Sequence, residues 1–208
     1  MILPKPRNFN VERYIGGLSK HKKIKNPIKL SANESALGAS PKAIQAFERV
    51  SNKIFNYPES DSDTLRGAIS KKFNLESDKI ICGSGSDQIF DFICKLFLEA
   101  GDEVIVTEFG FIMHRIYASL HGAKVLFAKE ENYKASVDEI LKKVTEKTKI
   151  VFIANPNNPT GTYLSKDEML NLRQKLRSNI LLVIDDAYFE FMNKSDFNSG
   201  LSLFKDST

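Results

Sequence analysis

The chain has 208 residues, 42% of them apolar and 27% charged, which is ordinary for a soluble globular protein of one or two domains. Thirty basic residues against 26 acidic ones leave a formal charge of +4. Because no basic stripe with interleaved aromatics accompanies that charge, no nucleic-acid surface is expected, while anionic small-molecule substrates suit the balance.

The lysine pairs Lys22-Lys23, Lys71-Lys72 and Lys142-Lys143 read as solvated faces. No apolar stretch of membrane length and no signal-peptide core follows Met1, so a cytoplasmic protein without membrane contact is expected. Cys82 and Cys94 read as small core residues, and the scattered His21, His114 and His121 suggest no metal site.

In chain order, residues 1 to about 40 read as an arm punctuated by Pro4, Pro6, Gly16-Gly17 and Pro27, with one strand-like piece at 28–32. Asn33-Glu34-Ser35 leads through a turn at Gly38 to a helix opened by Ser40-Pro41, with proline at the first helical position. An extended break at Asn56-Tyr57-Pro58 precedes a second helix containing Leu65, Ile69 and Phe73. From Lys79 a regular alternation sets in. Strands are expected at 79–82, 103–107, 124–128, 150–154 and 180–185, with helices at 86–99, 110–121, 137–145 and 166–176 between them. The first of these helices is expected to bury Ile89, Ile93, Leu96 and Phe97. Such alternation implies an α/β fold, a mainly parallel sheet with helices on both faces.

Ligands of open α/β sheets sit beyond the carboxyl ends of the strands, and polar groups gather there. Gly83-Ser84-Gly85-Ser86-Asp87-Gln88 joins a strand to a helix whose free amino-end N–H groups suit a phosphate. It matches neither the dinucleotide fingerprint nor a P-loop, and taken alone a capped glycine turn explains it equally well. Asn157-Asn-Pro-Thr-Gly161 ends another strand; Asn, Pro and Gly form turns, yet Asn158 is poised to donate its amide to an anionic or phenolic oxygen. Asp185 is the first polar residue after Ile180-Leu-Leu-Val-Ile184. A lone aspartate there is usually a cap, a role that Asp186 fits better; a semi-buried Asp185 calls for a cationic partner such as a protonated pyridine. Tyr188 lies three residues on, and Phe109 just past 104–107 offers a ring for stacking or for ordinary packing. An acid, an amide and a phenol at neighbouring strand ends suit a flat heteroaromatic cofactor with one basic ring nitrogen and one phenolic oxygen, the shape of pyridoxal 5'-phosphate.

The ordered set Gly85-Ser-Asp-Gln88, Glu108-Phe-Gly-Phe111, Asn155-Pro-Asn-Asn-Pro-Thr-Gly161 and Asp185-Asp-Ala-Tyr-Phe-Glu-Phe191 resembles the fold type I aminotransferases. Leu30-Ser-Ala-Asn-Glu34, Asn56-Tyr-Pro-Glu59 and Arg13-Tyr14 are most similar to the histidinol-phosphate branch of that family. The resemblance runs from about Tyr14 to Tyr188. It implies a pyridoxal-phosphate enzyme of histidine biosynthesis, acting on histidinol phosphate and 2-oxoglutarate/glutamate as a homodimer. It further implies that the backbone at Gly85, Ser86 and Asp87 binds the cofactor phosphate and that Phe109 stacks on the pyridine, where the family more often has tyrosine. Asn158 and Tyr188 would bond the phenolic oxygen, Asp185 would pair with the ring nitrogen, and Tyr57 would reach the neighbouring subunit's cofactor phosphate. Tyr14 and Asn33 would lie near substrate.

By the same resemblance, 1–40 is an arm with the start of a small domain, and 41–208 is an incomplete cofactor-binding large domain. The family's Schiff-base lysine, in a Ser/Thr-x-x-Lys segment, is expected beyond Thr208, since Lys194 and Lys205 lack that context; no catalytic lysine is assigned within the chain, which is expected to be a portion of a longer protein. An aromatic-amino-acid aminotransferase and a phosphothreonine decarboxylase remain as alternatives. A chain complete as it stands would instead be a non-catalytic cofactor-binding or dimerising module.

Overall fold

The computed structural model of the protein describes residues 11–18 and 22–206, so His21 lies outside them. The described residues fall into two compact units, one within Tyr14–Gly83 and one within Ser84–Thr208 joined by the end of Met1–Arg13.

The 14–83 unit carries helix α1 (Pro41–Val50), a 3-10 turn at Ser51–Lys53, helix α2 (Asp63–Phe73) and a second 3-10 turn at Ser77–Lys79. Pro41 opens α1 at the position where a missing N–H costs nothing. Asn74, at φ 52°, ends α2 in the left-handed conformation that asparagine tolerates. Two expected strands are absent. Residues 28–32 form bends and irregular chain, and 79–82 run from the 3-10 turn into extended chain without a ladder. An extended segment becomes a strand only when a neighbour takes its hydrogen bonds, and among the described residues none does so here.

The 84–206 unit is built on a four-stranded, all-parallel sheet ordered β2-β1-β5-β6. Its strands are β1 (Glu103–Thr107), β2 (Lys124–Ala128), β5 (Thr148–Ala154) and β6 (Leu181–Asp185). Helices α3 (Ser86–Phe97), α4 (Ile112–Leu120), α5 (Val137–Lys142) and α6 (Lys166–Lys175) connect or flank them. Every residue of β1 is buried, as expected of a central strand covered on both faces.

The two-residue period of the strands sorts the core into two layers. Val104, Val106, Ile150 and Phe152 pack with Phe90, Cys94 and Ala118 of α3 and α4. Ile105, Val151 and Ile153 pack with Ile140 of α5 and with Met169 and Leu172 of α6. Helix α3 buries Phe90 and Cys94, four residues apart, whereas Leu96 and Phe97 are exposed and Ile89 and Ile93 half-buried. The expected stripe was therefore displaced by one residue, because an all-apolar run such as Ile89-Phe90 does not identify its own inner face.

Sequence patterns did not indicate four further elements. Strands β3 (Glu130–Glu131) and β4 (Lys134–Ala135) form a hairpin whose turn residues Asn132 and Tyr133 have φ of 53° and 63°. A 3-10 turn at Phe189–Phe191 and helix α7 (Gly200–Asp206) follow β6. Helix α6 starts with a capping box: Glu168 N–H donates to the Ser165 hydroxyl at 3.3 Å, and Ser165 N–H donates back to Glu168 at 2.7 Å.

Candidate active site

Parallel pairing of β1, β5 and β6 sets their carboxyl ends side by side, with Ala154 level with Asp185. There a cavity of about 100 Å³ opens, lined by Ser86, Phe111, Ala154, Asn158, Asp185 and Tyr188, with Pro156 and Ala187 completing the wall.

Asp185 continues the alternation of Leu181 and Val183 on the α3/α4 side of β6. Its Oδ1 accepts the Ala187 N–H at 3.1 Å, and its Oδ2 lies 3.3 Å from Nε2 of His114. The side chains of His114 and Asp185 are only 2% and 9% exposed. The imidazole stands in an aromatic box, stacked on Phe152 at 5.0 Å and meeting Phe90 and Phe111 edge to face at 4.7 and 5.6 Å. A buried carboxylate needs hydrogen-bond partners; here they fix its orientation toward the cavity.

Asp186 follows Leu182 and Ile184 to the opposite face. Its Oδ2 accepts the Gly200 N–H at 2.6 Å, while burial, followed by the nearby Asp185 and Glu190 charges, pushes its pKa up to about 6 against the pull of that bond. A Cβ on Gly200 would meet Ile184 at 3.0–3.1 Å, so Asp186 holds a tightly packed return of the chain.

The three asparagines of the 155–161 turn divide the work. Asn155, fully buried, donates to the Leu164 carbonyl at 3.1 Å and accepts the Leu164 N–H at 2.8 Å. Asn157 donates to the Phe109 carbonyl at 3.1 Å and to the Thr160 hydroxyl at 2.8 Å. Asn158 lines the cavity. Both Asn–Pro bonds of the turn are cis.

At the amino end of α3, Gly85 has φ 81° and ψ 173°, a conformation that L side chains rarely adopt, and open space surrounds the place a Cβ would take. No side chain caps this helix; Gln88 instead accepts the Ser84 N–H at 2.7 Å. Asp87 stands in the first turn. Phe109 is 43% exposed, its ring 5.3 Å from that of Tyr133, and it is Phe111 that contributes an aromatic to the cavity lining. Gly110 is required by close approach, since a Cβ there would lie 2.5 Å from Oγ1 of Thr107.

Of the residues singled out from sequence, Ser86, Asn158, Asp185 and Tyr188 thus share one cavity, with Gly85 and Asp87 flanking Ser86. Tyr14, Asn33 and Tyr57 are carried by the 14–83 unit and are exposed there. His114, read from sequence only as one of three scattered histidines, and Asn157, read only as part of the turn, were given no site role there. His114 had one available signal, a polar residue on the inward side of an apolar helix. Among the described residues no three His, Cys, Asp or Glu side chains are grouped as a metal would need. No helix there is long and apolar enough to cross a membrane.

Residues 25–208 match the family model of the class I and II aminotransferases, and the chain belongs to that family. Among its relatives it is 56% identical, over 205 residues, to the histidinol-phosphate aminotransferase of Pelagibacter ubique, covering 99% of this chain and 57% of that one. It is 43% identical over 200 residues to the enzyme of the same name from Paramagnetospirillum magneticum, covering 96% and 55%. The chain thus spans little more than half the length of these curated relatives. The crystal structure of histidinol-phosphate aminotransferase from Sinorhizobium meliloti, in complex with pyridoxal-5'-phosphate, superimposes with a TM-score of 0.76 over 81% of this chain and 46% of that one. At 24% identity that likeness is one of fold.

Proposed function

We propose that the protein is a pyridoxal-phosphate-dependent aminotransferase that exchanges histidinol phosphate and 2-oxoglutarate for imidazole-acetol phosphate and glutamate, in histidine biosynthesis. The observation that carries this reading is the buried Asp185, oriented by His114 and Ala187 in a cavity that Asn158 and Tyr188 also line. The names of the relatives support the choice of substrate.

The donor set fits the cofactor. It offers an acid for a ring nitrogen, an amide and a phenol for an oxygen, and an uncapped helix amino end for a phosphate. When bound, the cofactor supplies an electron-accepting ring and an aldehyde for amino exchange. Asp185 holds a proton on the ring nitrogen, and its low exposure keeps water from competing for that contact. Asn158 and Tyr188 hydrogen-bond the phenolic oxygen. The N–H groups at Gly85, Ser86 and Asp87 would take the phosphate, and Phe109, which stands outside the cavity lining, would stack against the ring. The resemblance implies that Tyr14 and Asn33 would lie near substrate and that Tyr57 would reach a neighbouring subunit's cofactor phosphate. A cytoplasmic homodimer goes with this reading, supported by the exposed Phe47, Ile54, Phe55 and Tyr57 of the 14–83 unit. So does the division into an arm, 1–40, and a cofactor-binding domain, 41–208.

The test is to assay the full gene product, loaded with pyridoxal phosphate, for glutamate formed from 2-oxoglutarate with histidinol phosphate or phenylalanine as the amino donor, and for carbon dioxide released from phosphothreonine. Turnover favouring histidinol phosphate is expected. Preference for phenylalanine, or release of carbon dioxide from phosphothreonine, would replace the substrate assignment. Absence of cofactor binding would end the reading altogether.

A further inference from the structure

The β3–β4 hairpin lies outside the cavity lining, yet it grips Phe109. Glu130 Oε1 accepts the Phe109 N–H at 3.0 Å, and the Tyr133 ring packs 5.3 Å from the Phe109 ring at an interplanar angle of 54°. From the other side Asn157 donates to the Phe109 carbonyl at 3.1 Å. The two sides are joined. The Tyr133 carbonyl accepts the Thr162 hydroxyl at 2.7 Å, that hydroxyl lies 2.8 Å from the Thr160 hydroxyl, and Asn157 donates to Thr160 at 2.8 Å.

The contacts therefore close a ring running Phe109, Tyr133, Thr162, Thr160, Asn157 and back to Phe109, with Glu130 of the same hairpin holding the Phe109 N–H as a second tie. The hairpin is in turn moored to α6, where Lys134 Nζ donates to both oxygens of Glu168 at 2.7 and 2.9 Å. Glu130 Oε2 and Asn157 Oδ1 are both buried and take no hydrogen bond among the described residues. Half-satisfied buried polar groups are costly to keep, and the remaining atoms of both side chains converge on the backbone of Phe109. Asn157 also adjoins Asn158, so one circuit sets the aromatic ring and the cavity-lining amide in a common frame.

We propose that Glu130, Tyr133 and Asn157 are positioning residues that hold the Phe109 ring and the Asn158 turn in register for the cofactor. This rests on the reading of Phe109 as the ring on which the cofactor stacks. The two backbone bonds fix where the Cα–Cβ bond of Phe109 starts, and the Tyr133 ring packed against its side chain limits the rotamers left to it, so the ring is preorganised rather than ordered on binding.

The experiment measures pyridoxal-phosphate affinity of the apo full gene product by fluorescence titration, together with visible circular dichroism per bound cofactor and the thermal midpoint of the apo form. Glu130→Leu, Tyr133→Leu and Asn157→Ala are each expected to weaken binding about fivefold to tenfold and to reduce the dichroism. Glu130→Gln keeps the acceptor oxygen and should stay within about twofold of the wild type. In a Phe109→Ala background, Glu130→Leu should cost nothing further, since it acts through that ring; a residue that merely supports folding would subtract equally in both backgrounds. Wild-type affinity and dichroism in Glu130→Leu and Asn157→Ala, with Phe109→Ala weakened, overturn the positioning role and leave the stacking assignment standing. Unchanged binding in Phe109→Ala, or no binding by the wild type, overturns the assignment beneath it.

Discussion

Replacing His114 by phenylalanine isolates what its nitrogen does. Phenylalanine keeps a ring in the box made by Phe90, Phe111 and Phe152 and removes both ring nitrogens, among them the Nε2 that lies 3.3 Å from Asp185. A hydrogen bond to a charged group contributes about 1.5–3 kcal/mol, and a separation at the long end of the accepted range argues for the lower figure. Asp185 retains the Ala187 N–H on Oδ1, which leaves Oδ2 free to turn. If orientation of that oxygen is what the cofactor uses, about 1.5 kcal/mol is lost from binding, or about tenfold in dissociation constant. The assay is fluorescence titration of the apo full gene product with pyridoxal phosphate, with the thermal midpoint of the apo form recorded beside it. Binding within twofold of the wild type for His114→Phe, where Asp185→Ala has lost it, would refute the reasoning and reduce the histidine to a packing residue.

Asp186 sets a pH dependence of definite sign. Its folded pKa of about 6 stands above the 3.8 ordinary for an aspartate, so between those values the folded state binds more protons than the unfolded and stability falls as pH rises through the window. Asp186→Asn should leave the thermal midpoint nearly unchanged near pH 4 and raise it above pH 6, by about 1–3 kcal/mol in stability; no gain at pH 7.5 would contradict the burial argument. Gly110→Ala puts a Cβ 2.5 Å from Thr107 Oγ1 and should destabilise by about 1–3 kcal/mol through overpacking. The added substitution Thr107→Ala, which removes that oxygen, should recover part of the loss in a melting experiment. Cys94, its thiol pushed up to about 12 by burial and then by the neighbouring Asp91 charge, should resist a thiol reagent in the native protein and react only on unfolding, as followed by mass spectrometry.

Strands β1 and β2 could be read from sequence to the residue, and β5 and β6 to within two, because each is an apolar run fully or half covered by helices. Residues 79–82 carry the same apolar signal and form no ladder, since pairing is decided by a neighbour and not by composition. The β3–β4 hairpin was invisible for the opposite reason. Its strands are two residues long, and its turn is Asn132-Tyr133, not the Asn-Gly pair that announces such turns. His114 reads as an isolated residue because its carboxylate partner is 71 positions away.

The candidate site was more legible than the hairpin because a parallel sheet converts sequence pattern into location. Once three apolar runs are accepted as adjacent parallel strands, whatever follows each run must stand on the same edge. The alternation then chooses between neighbours. Leu181 and Val183 face α3 and α4, so Asp185 arrives beside His114 and the cavity; Leu182 and Ile184 face the other layer, so Asp186 arrives beside Gly200. Likewise Ile150 and Phe152 lead to Ala154 in the cavity wall, while Val151 and Ile153 lead to Asn155, which is spent on Leu164 behind the sheet. A one-residue slip in either strand would exchange these partners. The two strands agree on which layer is which, and that agreement separates the acid facing the cavity from the acid that ties down the chain.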